Sequence, residues 1–137
     1  MYQRYVLSHS DAMKIIDIIK AKLEKEGKGA AVTVCDEHGE LIAFVRTDGC
    51  RLNSITISMN KAFTASREQK ASKAVGDSSR EKAWPLTNFG DPRYTGWGGG
   101  VPIFREGVCV GAVGVSGLPE EEDMILAQLG VEALGVG

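Results

Sequence analysis

Behind a Ser8-x-x-Asp11 start signal, apolar residues recur at Ala12, Ile15, Ile16, Ile19 and Leu23. That spacing places them on one face of an α-helix, which Gly27 and Gly29 end. The period then shortens. AAVTVCDEHGELIAFV, from Ala30 to Val45, holds two apolar, β-branched runs around a four-residue turn where Gly39 is free to take positive φ, and it predicts a β-hairpin. Ser54 is a candidate cap for a second helix through about Gln69, with room for a short continuation. Residues 76–97, GDSSREKAWPLTNFGDPRYTGW, follow neither period and predict an irregular, aromatic-containing excursion. GGGVPIFREGVCVGAVGVSG, residues 98–117, predicts a second hairpin that turns at Arg105, Glu106 and Gly107. The last helix is expected to bury Ile125, Leu126, Leu129 and Ala133. The order α-β-β-α-loop-β-β-α has hairpins in place of repeated β-α-β units. It predicts an α+β fold, a single antiparallel sheet with helices packed on it, in one domain spanning residues 1–137.

Gly111, Gly114 and Gly117 interrupt the second hairpin at every third position. Glycine weakens a strand, because it has no side chain to pack and loses the most backbone freedom on folding. Something must therefore approach this strand closely: another chain, a flat ligand, or a helix crowded onto it. The helices look too few to cover so apolar a hairpin, which favours the first of these and a homo-oligomer.

Composition narrows the partners. A chain of 137 residues can bury one hydrophobic core without disulfides. Its net charge of -2 gives no general attraction to nucleic acid or to an anionic membrane. No apolar run approaches spanning length, and MYQRYVLSHSDAMKII lacks the apolar core of a signal peptide. Cys35, Cys50 and Cys109 are widely spaced with no C-x-x-C pair, which suits free thiols in a reducing compartment. The expected location is cytoplasmic, with neither nucleic acid nor membrane as partner.

Catalytic motifs are thin. The glycines imitate a dinucleotide loop, yet they lie inside a strand, and the next helix opens on Glu120, Glu121, Glu122 and Asp123. Those carboxylates suit the helix dipole and would repel a phosphate. Neither G-x-x-x-x-G-K-[ST] nor G-x-S-x-G occurs. His9 and His38 stand at a helix start and a turn tip, without metal-ligand spacing. No catalytic constellation emerges, and no enzyme class is assigned.

FVRTDGCRLNSITISMNKAFTASRE, residues 44–68, carries more chemistry. Arg46 and Asp48 share one side of an extended chain, while Ile57, Lys61, Thr64 and Glu68 share a helical stripe beside Met59, Ala62 and Phe63. Charge-assisted bonds from Lys61 or Arg46 would suit the acidic edge of a flat amphipathic ligand. A structural Arg46–Asp48 pair, with Lys61 on a solvated face, fits the same pattern. Trp84, Phe89, Tyr94 and Trp97 could border such a ligand, meet a neighbouring subunit or cap the core.

In combination, LIAFVRTDG (41–49), SITISMNKAFTA (54–65) and GGGVPIFREGVCVGAVGVSG with the PEEED after it resemble the GlcG/HbpS family of haem-binding proteins. The C-terminal domain of some two-domain cobalamin adenosyltransferases resembles it too. The likeness covers nearly the whole chain. It implies helices around an antiparallel sheet, a homo-oligomer, and a tetrapyrrole ligand, with haem favoured over a corrinoid. As cofactor-binding positions it implies Arg46, Asp48, Lys61, Thr64, Gly99 and Gly100, with Thr64 an oxygen ligand or near neighbour of the metal. The usual proximal His or Cys of a dedicated haem enzyme has no counterpart here. The implied role is a small cytosolic tetrapyrrole-binding accessory protein. The alternatives are an oligomeric assembly subunit without a ligand, or an enzyme acting on haem or a small redox substrate.

Overall fold

The two expected hairpins lie side by side in the computed structural model, which describes residues 1–135. The first joins β1 (Ala31–Asp36) to β2 (Leu41–Arg46), and the second joins β3 (Gly100–Arg105) to β4 (Val108–Ser116). β1 pairs antiparallel with β4, so the sheet has four strands in the order β2-β1-β4-β3. Around it pack α1 (His9–Glu26), α2 (Ser54–Glu68), α3 (Ser72–Lys82) and α4 (Glu120–Glu132). The fold is α+β, in the expected order. Local signals set several ends. The Ser8 hydroxyl accepts from the Asp11 backbone N–H at 3.0 Å, and Gly27 closes α1 in the left-handed conformation. Glu106 and Gly107 both have positive φ, as the tight turn of a hairpin with right-handed twist requires.

The faces of the sheet are packed differently. On one, α1 and α4 cover a core of large aliphatic side chains that includes Ile15, Ile19, Leu23, Val32, Val113, Val115, Ile103 and Leu126. On the other, α2 lies close to the strands through small residues, with Ala62 and Ala65 against Cys35 and Ala112. Gly114 makes that approach feasible. A Cβ there would overlap the Ser58 carbonyl oxygen and stand 2.7 Å from the Ala62 nitrogen. Gly111 meets the Cys35 carbonyl of β1 in the same way. The glycines of β4 thus accommodate this chain's own helix and strand, and they are no reason to expect a neighbouring chain.

Three local expectations are corrected. Residues 72–82, which carry no apolar period, form α3; it buries only Ser72, Val75 and Gly76, so its tertiary contacts hold it rather than an apolar stripe. Ser54 is the first, buried residue of α2 and not its cap; Asn53 precedes it without a side-chain capping bond. In α4 the buried stripe is Asp123, Leu126, Ala127 and Gly130, and Ile125 is 67% exposed. The stripe is rotated because Asp123, read as a solvated helix start, points inward.

Candidate functional site

The first turns of α2, the end of β4, residues 117–119 and the start of α4 enclose a cleft of about 530 Å³, with Trp97 and Gly98 on one wall. Lys61 and Asp123 meet at its floor. The Lys61 Nζ donates to Asp123 Oδ2 at 3.1 Å and to the Val115 carbonyl at 2.9 Å. Their side chains are 4% and 3% exposed, so the pair is largely shielded from water. Asp123 Oδ1 accepts from the Leu118 N–H at 3.1 Å and so ties the loop after β4 to the same carboxylate. Burial pushes the Asp123 carboxyl above the usual aspartate range, against the pull of the Lys61 charge and the backbone donors.

The glycines before β3 serve this arrangement. A Cβ on Gly99 would stand 2.9 Å from Lys61 Nζ, and one on Gly100 would overlap the Lys61 carbonyl. The Gly100 N–H donates to Ser72 Oγ at 2.9 Å, and that hydroxyl donates to the Trp97 carbonyl at 2.7 Å. Glu120 accepts from the Gly98 N–H at 2.9 Å. The start of α3 and the start of α4 therefore hold the segment that carries Trp97, a residue 59% exposed that lines the cleft.

The six sequence-derived positions fall into three places. Lys61 lines the cleft, and Gly99 and Gly100 pack against Lys61 behind it without lining the cleft themselves. Arg46, the last residue of β2, and Asp48 just beyond it are exposed, in an adjoining depression of about 320 Å³ with Cys50 and Leu52. They form no ion pair with each other among the described residues. Burial raises the Cys50 thiol pKa, and the nearby Arg46 charge opposes the rise. Thr64 is fully buried one turn beyond Lys61, where its Oγ1 accepts from the Thr95 N–H at 2.9 Å. It lies outside the cleft lining and holds the excursion onto α2.

The excursion's aromatic rings divide between two tasks. Phe89 stacks on Tyr94 with centroids 4.1 Å apart, Tyr94 meets Phe63 edge-on at 5.3 Å, and Trp84 meets Phe89 at 5.5 Å. Arg93 lies over the Phe63 ring at 3.9 Å. These rings cap α2; Trp97 alone among the four lines the cleft.

Asp123 and Glu120 are the site residues that sequence reasoning missed. The signal for Asp123 was present: it stands three and four residues before Leu126 and Ala127, on the face that α4 buries. A carboxylate on that face demands a buried cation, and Lys61 is one.

A family model described as Haem degrading protein HbpS-like matches residues 7–132. Protein GlcG of Escherichia coli (strain K12) is 30% identical over 116 residues, 85% of this chain and 85% of GlcG. The corrinoid adenosyltransferase PduO of Salmonella typhimurium is 30% identical over 108 residues, 77% of this chain but 32% of PduO. Among solved structures, the PduOC:heme complex superposes with a TM-score of 0.89 at 25% identity, covering 97% of this chain and 98% of that one.

Proposed function

Because the chain belongs to the HbpS-like family, we propose that it is a haem-binding accessory protein whose ligand occupies the cleft above Lys61 and Asp123. The make-up of that cleft supports the reading. Trp97, Ile57, Leu118 and Pro119 offer apolar walls to a flat macrocycle, while Arg51 and Lys61 offer positive charge to its carboxylates. Its volume, about 530 Å³, is in the range of sites that hold small molecules (~300–1,000 Å³). An ammonium has three donors; Lys61 commits two to Asp123 and Val115, which leaves one for a carboxylate oxygen. A larger cavity, about 660 Å³, lies between Tyr2–Tyr5 and the β3–β4 turn, and it contains none of Arg46, Asp48, Lys61, Thr64, Gly99 and Gly100. The haem reading therefore rests on the cleft.

Haem supplies redox-active iron when bound. The side-chain groups lining the cleft that could face a metal are the oxygens of Asn53, Ser54, Ser116, Glu120 and Asp123, with no His, Cys or Met among the described lining residues. Arg46 and Asp48 border the ligand's outer edge through the adjoining depression, and Thr64 acts by holding the segment that leads to Trp97. A corrinoid is the second candidate ligand, supported by the similarity to PduO. We place the protein in the cytoplasm, where its three unpaired thiols would persist, and as a homo-oligomer, for which exposed Leu52, Trp97 and Ile125 offer apolar surface.

Haemin titration of the purified chain tests the reading. A saturable Soret shift at one haem per chain is expected, weakened by Arg51→Met. No saturable shift, or one unchanged in Arg51→Met and Trp97→Ala, removes haem from this cleft. Aquocobalamin titrated in parallel separates the corrinoid alternative, and native mass spectrometry counts the subunits.

A further inference from the structure

At the opposite end of the sheet, the turn between β1 and β2 carries a second concentration of polar chemistry. Asp36, Glu37 and His38 each place a ligand-capable atom within 4.8 Å of the others. The turn is fixed: Asp36 Oδ1 accepts from the His38 N–H at 2.8 Å and the Glu40 N–H at 3.0 Å. Glu37 supplies a separate observation. Its side chain is only 10% exposed, and Arg4 Nη2 donates to its Oε1 at 2.6 Å. Its Oε2 is buried without a hydrogen-bond partner, the one such side-chain atom among the described residues. Buried carboxylate oxygens are normally paired, because an unpaired one loses its hydration and gains nothing in return. Arg4 pairs with the carboxylate through Oε1, and His38 Nδ1 lies 3.4 Å from that same oxygen, so Oε2 is the acceptor left open to a further cation.

We propose that Asp36, Glu37 and His38 form a binding site for a divalent transition-metal ion such as Zn²⁺, with Arg4 as its competitor. Two carboxylates and one imidazole are a donor set that such ions accept. Cys109 lines the neighbouring cavity, but its thiol donates to the carbonyls of Gly111 and Ser66, so the set stays nitrogen and oxygen. Arg4 holds Glu37 and approaches His38 Nε2 at 3.3 Å, which makes the guanidinium the group that metal must displace. Arg4 precedes α1, so metal uptake frees the N-terminal segment from the β1–β2 turn. The site lies across the sheet from the cleft, and its test is independent of haem.

Zn²⁺ is titrated calorimetrically into the haem-free full-length chain in a Cys50→Ser background, which removes the half-exposed thiol as a rival ligand. One ion per chain is expected. Glu37→Gln and His38→Ala should each weaken binding by about tenfold or more, at least the loss that removal of an outer-shell partner brings (~10–100-fold). Arg4→Gln should tighten it. Circular dichroism checks the fold of each variant, and His38→Ala, at an exposed turn, keeps the test sound if Glu37→Gln unfolds. No Zn²⁺ uptake, or uptake unchanged in His38→Ala, refutes the site. Weaker binding in Arg4→Gln refutes the competition.

Discussion

Lys61→Met keeps most of the side chain's length and removes its charge, leaving Asp123 buried at 3% exposure without its cation. Removing one partner of a buried ion pair costs about 3–5 kcal/mol, because the remaining charge is neither hydrated nor paired. Against a domain stability of about 5–15 kcal/mol, that loss is large. The sequence pattern left Lys61 between a ligand contact and a solvated face; its burial against Asp123 gives it a structural task. The deficit should also depend on pH. In the unfolded chain an aspartate titrates at about 3.9. In the native fold burial pushes Asp123 higher, even against the Lys61 charge. The native state therefore holds this proton better than the unfolded chain. Its contribution favours folding at low pH and is lost as pH rises from the unfolded value through the native one. Without Lys61 the native value rises further, so the deficit of Lys61→Met relative to wild type should shrink from about pH 7.5 to about pH 5. Adding Asp123→Asn removes the stranded charge while keeping an acceptor for the Leu118 N–H, and the double variant should be more stable than Lys61→Met alone. Urea denaturation of the four chains at both pH values measures this cycle. A deficit below about 1 kcal/mol, one that does not change with pH, or no recovery in the double variant would refute the reasoning.

Gly114→Ala puts a methyl group into the Ser58 carbonyl and should lower stability by about 1–3 kcal/mol as α2 is pushed off the sheet; an unchanged thermal midpoint would contradict the packing described. Haem bound in the cleft should quench Trp97 more than Trp84, so Trp97→Phe should abolish most of the quenching, and retention of it would move the ligand elsewhere. Burial pushes the Cys35 thiol up to about 12 and also raises that of Cys109. A thiol-specific disulfide reagent should then label Cys50 first in the native protein and the other two only on unfolding. The side-chain hydrogen bonds of Arg93 hold the Asp91 carboxyl down to about 2. Arg93→Gln should return it toward the ordinary range by NMR titration. Since the native value lies below the unfolded one, its contribution is present above about pH 4 and fades as pH falls toward 2.

The hydrophobic pattern by itself determined α1, both hairpins and the α+β order, because each depends on short-range periodicity and on turn or capping residues such as Ser8, Gly27, Gly39 and Gly107. The resemblance of three separated segments to one family was also readable, since those segments combine specific residues along a single chain. Tertiary structure decided the features that depend on distance in space. Pairing β1 with β4 brings together strands with about seventy residues between them, and no local signal selects that partner. α3 is held by contacts of Ser72 and Gly76 that no period encodes. The phase of α4 turned on Asp123, whose inward direction becomes favourable only when Lys61 of α2 reaches across the end of β4 to meet it. A charged side chain reads as solvated until its counter-charge is located, and a sequence does not locate it. For the glycines of β4 the division was the same: their spacing showed that something came close, and only the folded chain showed that it was the chain's own helix.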